Sequence, residues 1–197
     1  MLDSKLYYEE INLPTFEALN ELHKLEELKK IYWAIPAQPL SAHQICLNAA
    51  PGYTDDITFG AGYFADKGKS NFFIRHTTTG TERIPLNPSS VYDWELCDIF
   101  VNTVFEDIYT VLKSHYKIGR VRLLKSTPCT CMNWHIDPIP RLHYPIQTDP
   151  ACLMIIDNEL YHMPLNKWTY AKTHQGYHTA LNASNIDRIH IVADILP

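Results

Sequence analysis

The sequence predicts a mainly β domain that is braced by two α-helices. After Gly119 the chain consists of short β-type runs separated by Pro and Asn, without a helical pattern between them. Before that point, two stretches repeat apolar residues at helical spacing. Many short strands without intervening helices are typical of a β-sandwich, a jelly roll or a barrel. The length of 197 residues suits one such domain with a sizeable core.

The first predicted helix covers residues 15–33. Its apolar residues recur at near-helical spacing, and its charged residues occupy the other faces. Pro14 suits the start of this helix, and Pro36 limits its extension. The second predicted helix covers residues 93–115 and carries a similar apolar stripe. We expect both helices to pack on the outside of one sheet.

Short strands account for most of the remaining chain. Between the helices we predict strands at 43–48 and 71–76, joined by a loop at 51–70 that is rich in Gly and Asp. The length and glycines of this loop suggest a lid. The predicted strands of the second half cover residues 120–125, 142–146, 152–157, 177–182 and 188–195.

Composition narrows the possible function classes. The 17 Lys and Arg residues against 22 Asp and Glu give a net charge of −5, which excludes nucleic-acid binding through a broad basic face. No apolar run approaches the ~20 residues that span a bilayer, and the first ten residues lack a signal-peptide pattern. The five cysteines have no framework spacing, which is typical of reduced thiols. We therefore expect a cytoplasmic protein without nucleic-acid or membrane partners, whose oligomeric state the sequence leaves open.

A histidine and an aspartate two residues apart are the central feature. His135 and Asp137 point to the same face if the segment is extended, since side chains alternate along a strand. An imidazole and a carboxylate on one face are two thirds of the 2-His-1-carboxylate triad that holds Fe(II) with open positions. Ten histidines and 22 acidic residues give about one such pair by chance, so this pair alone does not indicate a metal site.

A second set of residues strengthens the metal-site interpretation. His178 lies in one predicted strand, and Arg188 follows ten residues later at the start of the last strand. A guanidinium at such a position can bind the far carboxylate of a metal-bound substrate in a bidentate pair. His190 shares a strand face with Arg188, and the same Arg-x-His pattern recurs at Arg141 and His143. Both arginine–histidine pairs therefore lie near a candidate metal ligand.

From residue 121 to residue 197 the chain resembles the aspartyl/asparaginyl β-hydroxylase family of Fe(II)- and 2-oxoglutarate-dependent oxygenases. The resemblance depends on an ordered set of residues with the family's spacing. These are Pro128 seven residues before His135, the pair Arg141 and His143, His178 ten residues before Arg188, and Asp194 six residues past that arginine.

The resemblance implies a double-stranded β-helix, a cupin-like jelly roll, with iron at its mouth. Residues 1–197 would form a single oxygenase domain, in which 1–118 supply the helical brace and outer strands and 119–197 the metal-binding core. The implied site residues fall into two groups. They are His135, Asp137 and His178 as Fe(II) ligands, and Arg188, Arg141, His143 and His190 around 2-oxoglutarate or the substrate's carboxylate.

The implied activity is a dioxygenase reaction. The enzyme would use O2 to hydroxylate a small amino acid, a peptide or an aspartyl- or asparaginyl-type protein side chain, with release of succinate and CO2. Two positions depart from members of the family. Some members have glycine where this chain has Asp137, and a serine that holds 2-oxoglutarate is replaced by Leu124. Ser126 or Tyr170 could supply the missing hydrogen bond.

Other interpretations remain open at the level of sequence. A metal-binding cupin that oxidises a small molecule without 2-oxoglutarate would keep the triad but have no use for Arg188. A non-catalytic jelly-roll binding module would need neither. His174 is an alternative distal ligand, although no arginine follows it by ten residues. Cys129 and Cys131 precede His135, but their spacing is shorter than that of structural zinc ligands.

Overall fold

The computed structural model describes residues 7–34, 42–64, 72–77, 80–85 and 93–197. Within these residues the chain forms fifteen β-strands and two α-helices. The helices are α1 (Leu19–Glu27) and α2 (Val104–His115). The strands of the first half are β1 (Tyr8–Ile11), β2 (His43–Cys46), β3 (Asn48–Ala49), β4 (Gly62–Phe64), β5 (Phe72–Thr77), β6 (Gly80–Pro85) and β7 (Glu95–Leu96). Those of the second half are β8 (Ile118–Ser126), β9 (Thr130–Cys131), β10 (Arg141–Gln147), β11 (Cys152–Ile156), β12 (Glu159–Tyr161), β13 (Trp168–Ala171), β14 (His178–Asn182) and β15 (Arg188–Ile195).

The strands from β8 to β15 wind between two antiparallel sheets. The larger sheet has the order β1-β13-β10-β15-β8-β2, and the smaller has the order β12-β11-β14-β9. Except for the hairpin from β11 to β12, each step along the chain therefore crosses from one sheet to the other. This alternation is the double-stranded β-helix, and it confirms the predicted mainly β jelly roll. β1 and β2, from the first half of the chain, extend the larger sheet at its two edges.

The larger sheet separates an apolar core from a polar interior. Along β15, Ile189, Ile191 and Ala193 belong to the main hydrophobic core, while the alternate side chains face the smaller sheet. The same core contains Leu22 of α1 and Ile108 of α2. Both helices therefore pack on the outer face of the larger sheet, as the sequence predicts. The inner face carries mainly polar residues, together with small apolar clusters such as Leu124 with Val192.

Both helices are shorter than the sequence predicts. The helix predicted at 15–33 is limited to α1, because Lys29 adopts a positive φ of 53° just after its end. The helix predicted at 93–115 begins only at Val104, since Thr103 caps α2 by accepting a hydrogen bond from the Phe105 N–H. Asn102, with a φ of 60°, reverses the chain just before this cap. Among the described residues, no helix is long and apolar enough to cross a membrane.

The five strands predicted for the second half are all present, with bounds that differ by at most two residues. The prediction missed the short strands β1, β7, β9, β12 and β13, because a run of two to four residues carries too little periodicity. It also missed the six-residue strand β6, and β7 lies inside the predicted second helix. The loop predicted at 51–70 contains β4. Residues 65–70 of that loop lie outside the described residues, so the lid remains a prediction.

Asn182 holds the start of β15 against the end of β8. Its side-chain NH2 donates to the carbonyl oxygens of Ser126 at 2.9 Å and Ile186 at 2.8 Å. Its Oδ1 accepts hydrogen bonds from the backbone N–H and the hydroxyl of Ser184, at 3.1 and 2.6 Å. Because this amide is fully buried, these bonds fix the turn that leads into Arg188.

The packing of α2 on the larger sheet leads to a prediction about the free energy of unfolding. Leu112 on α2 is fully buried in the main core. We expect Leu112→Ala to lower the free energy of unfolding by about 2–5 kcal/mol, since it leaves a cavity between helix and sheet. Thr110→Ala, at an exposed position of the same helix, is the control and should change it by less than about 0.5 kcal/mol. Equal losses from both variants in urea unfolding would contradict the proposed packing.

Candidate functional site

The space between the two sheets is lined by charged and polar residues. They come from alternate positions of three neighbouring strands, so all point away from the apolar core. They are Arg120, Arg122 and Ser126 of β8, Arg141 and His143 of β10, and Arg188, His190 and Asp194 of β15. All are buried except Arg141, which is partly buried. Charges buried in this way need either opposite charges or a ligand.

His135, Asp137 and His178 lie together at one end of this interior. One potential ligand atom from each residue falls within 4.8 Å of the others. A backbone bridge aligns the two histidines, since each N–H donates to the other's carbonyl oxygen, at 3.1 and 2.9 Å. Asp137 is positioned by its own N–H, which donates to the carbonyl oxygen of Thr173 at 3.1 Å. The backbone therefore presents two imidazoles and one carboxylate to a common point.

The electrostatics of this group suit a divalent metal ion. Burial alone would raise the pKa of Asp137, but the Arg141 guanidinium and the two imidazoles outweigh it and hold this pKa below its usual range. Burial and the neighbouring His178 lower the pKa of His135. The carboxylate is therefore charged and His135 neutral at neutral pH, which are the forms that bind metals.

A hydrogen bond also orients the ring of His135. The Nδ1 atom of His135 lies 2.7 Å from the carbonyl oxygen of Asn133, so its Nε2 is the atom presented to Asp137 at 3.7 Å. The Nε2 atom of His178 lies 3.3 Å from the other carboxylate oxygen. Backbone hydrogen bonds to the second ring nitrogen are a common way to orient metal-binding histidines. The His135 side chain is 36% exposed, so the group is open to solvent on that side.

Arg141 is bound to carboxylates of the chain itself. Its Nη2 lies 2.5 Å from Asp137, and its Nε lies 3.4 Å from Asp194. The sequence predicts a cosubstrate or substrate contact for this arginine. The structure adds a link between the candidate metal ligands and the larger sheet.

Arg188 has a different environment. It is buried, and its one hydrogen-bond contact with the described residues is from Nη2 to the Nδ1 atom of His190, at 3.1 Å. No carboxylate among the described residues pairs with it. Burial lowers the pKa of Arg188 to about 10, so the group stays charged at neutral pH. A buried cation without a counter-charge costs several kcal/mol, which points to an anionic ligand.

The polar groups around Arg188 are equally unsatisfied. Within the part of the chain that the structure describes, neither ring nitrogen of the buried His143 has a hydrogen-bond partner, and neither does the Nε2 atom of His190. The hydroxyl of Ser126, opposite Arg188 in the β8–β15 register, is buried without a partner as well. Of the two groups suggested as replacements for the family serine, only Ser126 faces the interior. Tyr170 packs against the apolar core on the outer face of the sheet.

The alternative ligands lie apart from this group. The Cys131 thiol contacts the Thr179 hydroxyl at 3.2 Å. Neither it nor Cys129 nor His174 belongs to the cluster of metal-ligand type that the described residues form. Sequence reasoning missed Arg120 and Arg122, although their two-residue spacing signals a shared strand face.

No protein-family model and no curated protein sequence matches the chain. Solved structures with similar folds include a viral collagen prolyl hydroxylase from Paramecium Bursaria Chlorella virus-1, in its 2OG complex (12% identity, 96% of this chain and 95% of that chain, TM-score 0.46). Another is an oxidoreductase of the 2OG-Fe(II) oxygenase family from Burkholderia pseudomallei (10%, 96% and 84%, 0.45). A third is a cupin domain from Bordetella pertussis Tohama I (16%, 40% and 81%, 0.34). The aspartyl/asparaginyl β-hydroxylase resemblance remains a prediction from sequence.

Because two histidines are buried in the interior, we expect the free energy of unfolding to depend on pH. Burial and the nearby Arg188 lower the pKa values of His143 and His190 well below the ordinary value. Between that ordinary value and the lowered one, the unfolded chain binds protons that the folded chain does not. The free energy of unfolding therefore falls as the pH is lowered below about 6.5, by up to ~1.4 kcal/mol per pH unit for each histidine.

We expect His190→Asn to reduce this slope between pH 6 and 5 by about 1.4 kcal/mol per pH unit, measured by urea unfolding at several pH values. Thr169→Val removes another buried polar group, a hydroxyl without a partner, and should leave the slope unchanged because it does not titrate. A slope that is identical in His190→Asn and the wild type would contradict the neutral state of His190.

Proposed function

We propose that this protein is an Fe(II)- and 2-oxoglutarate-dependent oxygenase that hydroxylates its substrate. In this proposal His135, Asp137 and His178 bind the iron, and Arg188 binds the far carboxylate of 2-oxoglutarate. The observation that carries the proposal is the buried, uncompensated guanidinium of Arg188 in the same interior as a His-Asp-His group. A metal-binding cupin that does not use 2-oxoglutarate would have no need for this charge.

The chemistry of the donor set fits iron. Two imidazole nitrogens and one carboxylate oxygen are the ligands of the facial triad, which leaves open positions on non-haem Fe(II). The Oδ2 atom of Asp137 is buried, and the Nε2 atom of His178 lies 3.3 Å from it, so a metal ion could bind both atoms. Arg141 would hold the other oxygen of Asp137 and so orient the carboxylate.

The chemistry of the interior fits 2-oxoglutarate. A carboxylate beside Arg188 would neutralise the guanidinium in a bidentate pair. His143, His190 and Ser126 offer the unpartnered polar atoms that a small polar anion could satisfy. The apolar side chain of Leu124 lies on the same face of β8 and packs with Val192, which gives the methylene groups of the cosubstrate a surface to contact.

When bound, iron and 2-oxoglutarate together with O2 would supply the oxidising chemistry that hydroxylates a C–H bond, with release of succinate and CO2. The chain's own residues hold and orient these groups and limit the access of water. The interior is buried on the Arg188 side and open at the half-exposed His135. A small amino acid, a peptide or a protein side chain would approach from that open side.

Loss of the Arg188 guanidinium should weaken 2-oxoglutarate binding and spare the metal. We expect Arg188→Gln to raise the dissociation constant for 2-oxoglutarate by about 30- to 1,000-fold, equivalent to ~2–4 kcal/mol. The measurement is an anaerobic titration of the Fe(II)-loaded protein, followed by a visible metal-to-ligand charge-transfer band.

Lys125→Gln is the matched control for Arg188→Gln. It removes one positive charge from the neighbouring strand β8, where Lys125 pairs with Ile189 and contacts Trp33 outside the interior. Its 2-oxoglutarate affinity should equal that of the wild type. An unchanged affinity in Arg188→Gln would refute the role of this arginine.

Loss of a ligand should abolish metal binding. We expect His178→Ala to lower the affinity for Mn(II), a stable substitute for Fe(II), by at least ~100-fold, since loss of even an outer-shell partner can cost that much. Electron paramagnetic resonance of free Mn(II) measures the affinity. The control is His174→Ala, four residues earlier, which should bind Mn(II) as the wild type does. The reverse pattern would move the ligand to His174.

A further inference from the structure

Asp194 is one side chain removed from the His-Asp-His group, which consists of His135, Asp137 and His178. Its Oδ1 atom lies 3.4 Å from the Nε atom of Arg141. The Nη2 atom of the same guanidinium contacts the Oδ1 atom of Asp137. Asp137 presents its other oxygen to His178, at 3.3 Å. One guanidinium is therefore shared by two carboxylates, and only one of them belongs to the His-Asp-His group.

Strand register brings Asp194 and Arg141 together. The two residues are direct partners in the pairing of β15 with β10, so their side chains leave the same face of the larger sheet from adjacent positions. Both strands are inner strands of that sheet, and each is paired on two sides. The contact therefore depends on the paired backbone of two inner strands and not on a loop.

Asp194 is a buried carboxylate in its charged form. It is 5% exposed and also lies 3.0 Å from Arg120 and 3.5 Å from Arg122. Burial alone would raise the pKa of Asp194, but the three guanidinium groups outweigh it, Arg120 most strongly, and hold this pKa below its usual range. The side chain therefore carries a negative charge at neutral pH, although it is not part of the His-Asp-His group.

A divalent metal ion and Arg141 would compete for the negative charge of Asp137. A guanidinium that binds this carboxylate tightly reduces the attraction that remains for the metal ion, and its own positive charge repels the ion. Asp194 opposes both effects, because it attracts the same guanidinium from the Nε side and neutralises part of its charge. Without Asp194, the one carboxylate partner of Arg141 among the described residues would be Asp137.

We propose that Asp194 is a positioning residue for the metal ion, because its negative charge restrains Arg141 and so allows a divalent cation to bind Asp137 and the two histidines. This inference rests on the proposed function and deepens it. Asp194 acts through Arg141 and contacts neither the metal ion nor a substrate. Two effects follow from the charges. Removal of the Asp194 charge weakens metal binding, and removal of a neighbouring positive charge strengthens it.

The first test removes the charge of Asp194 and keeps the shape of its side chain. The wild-type protein and Asp194→Asn are titrated with Mn(II), and electron paramagnetic resonance of the free ion measures the affinity without any turnover. We expect Asp194→Asn to raise the dissociation constant for Mn(II) by about 10- to 100-fold, as is common when an outer-shell partner of a metal ligand is lost. An unchanged dissociation constant would overturn the proposal.

Asp187→Asn is the matched control for Asp194→Asn. It makes the same substitution just before the other end of β15, where Asp187 lies 4.0 Å from Lys125. Asp187 is seven residues from Asp194, which is about 23 Å along an extended chain, so the control should bind Mn(II) as the wild type does. Equal losses of affinity in both variants would indicate a general effect of negative charge and would overturn the specific role of Asp194.

A double variant separates the charge of Asp194 from a structural role. Arg122 contacts Asp194, whereas the guanidinium that contacts Asp137 is that of Arg141. We expect Asp194→Asn combined with Arg122→Gln to bind Mn(II) at least about threefold more tightly than Asp194→Asn, because the two changes offset each other in charge. A purely structural role predicts that the double variant binds no better than the single one, and this result would overturn the proposal.

Arg122→Gln alone keeps the proposal testable if Asp194→Asn does not fold. With one competing guanidinium removed, Asp194 restrains Arg141 more strongly, so Mn(II) should bind about threefold more tightly than in the wild type. Equal or weaker binding would overturn the positioning role. The two proposals also fail in different ways. If the wild type does not bind Mn(II), both are overturned. If it does and the variants bind Mn(II) equally well, the positioning role alone is wrong and the proposed oxygenase function stands.

Discussion

A guanidinium buried between two sheets has to be neutralised, and this constraint organises the interior of the jelly roll. Asp194 neutralises part of the charge at the metal end, where it lies within 3.5 Å of three arginines. Arg141 extends the same network to Asp137. At the other end, the one partner of Arg188 among the described residues is an imidazole. The arginines beside Asp194 are thus held by ion pairs within the protein, whereas Arg188 is available to an anionic ligand.

The apolar core stabilises the domain enough to offset the cost of a polar interior. The helices α1 and α2 cover the outer face of the larger sheet, and the main core lies between them and the sheet. The stability of the domain therefore comes chiefly from that layer. The inner face contributes only small apolar clusters, so most of it can carry charges that a simple sandwich would exclude. The brace is thus a condition for the polar interior.

The proposed function follows from the order of groups along this interior. The His-Asp-His group lies at the open end, and Arg188 lies at the closed end, next to a buried hydroxyl and two unprotonated imidazoles. A dicarboxylate that binds a metal through one end and an arginine through the other fits such an arrangement. The cluster around Asp194 lies beside the metal ligands, since Arg141 contacts both Asp194 and Asp137.

The sequence by itself determined the faces of the strands and the order of the ligands. Strand β15 was predicted with its observed bounds, because alternation along a strand is a local property. His135 and Asp137 lie in a segment that forms no strand, where only His135 takes part in a backbone bridge, so tertiary contacts set their common direction. Only the tertiary structure decided which faces meet. In the structure Arg122 contacts Asp194 and Arg141 contacts Asp137. Ser126 faces the interior whereas Tyr170 packs on the outer face, and α2 begins at Val104. Register between strands distant in sequence depends on long-range pairing, which local periodicity does not encode.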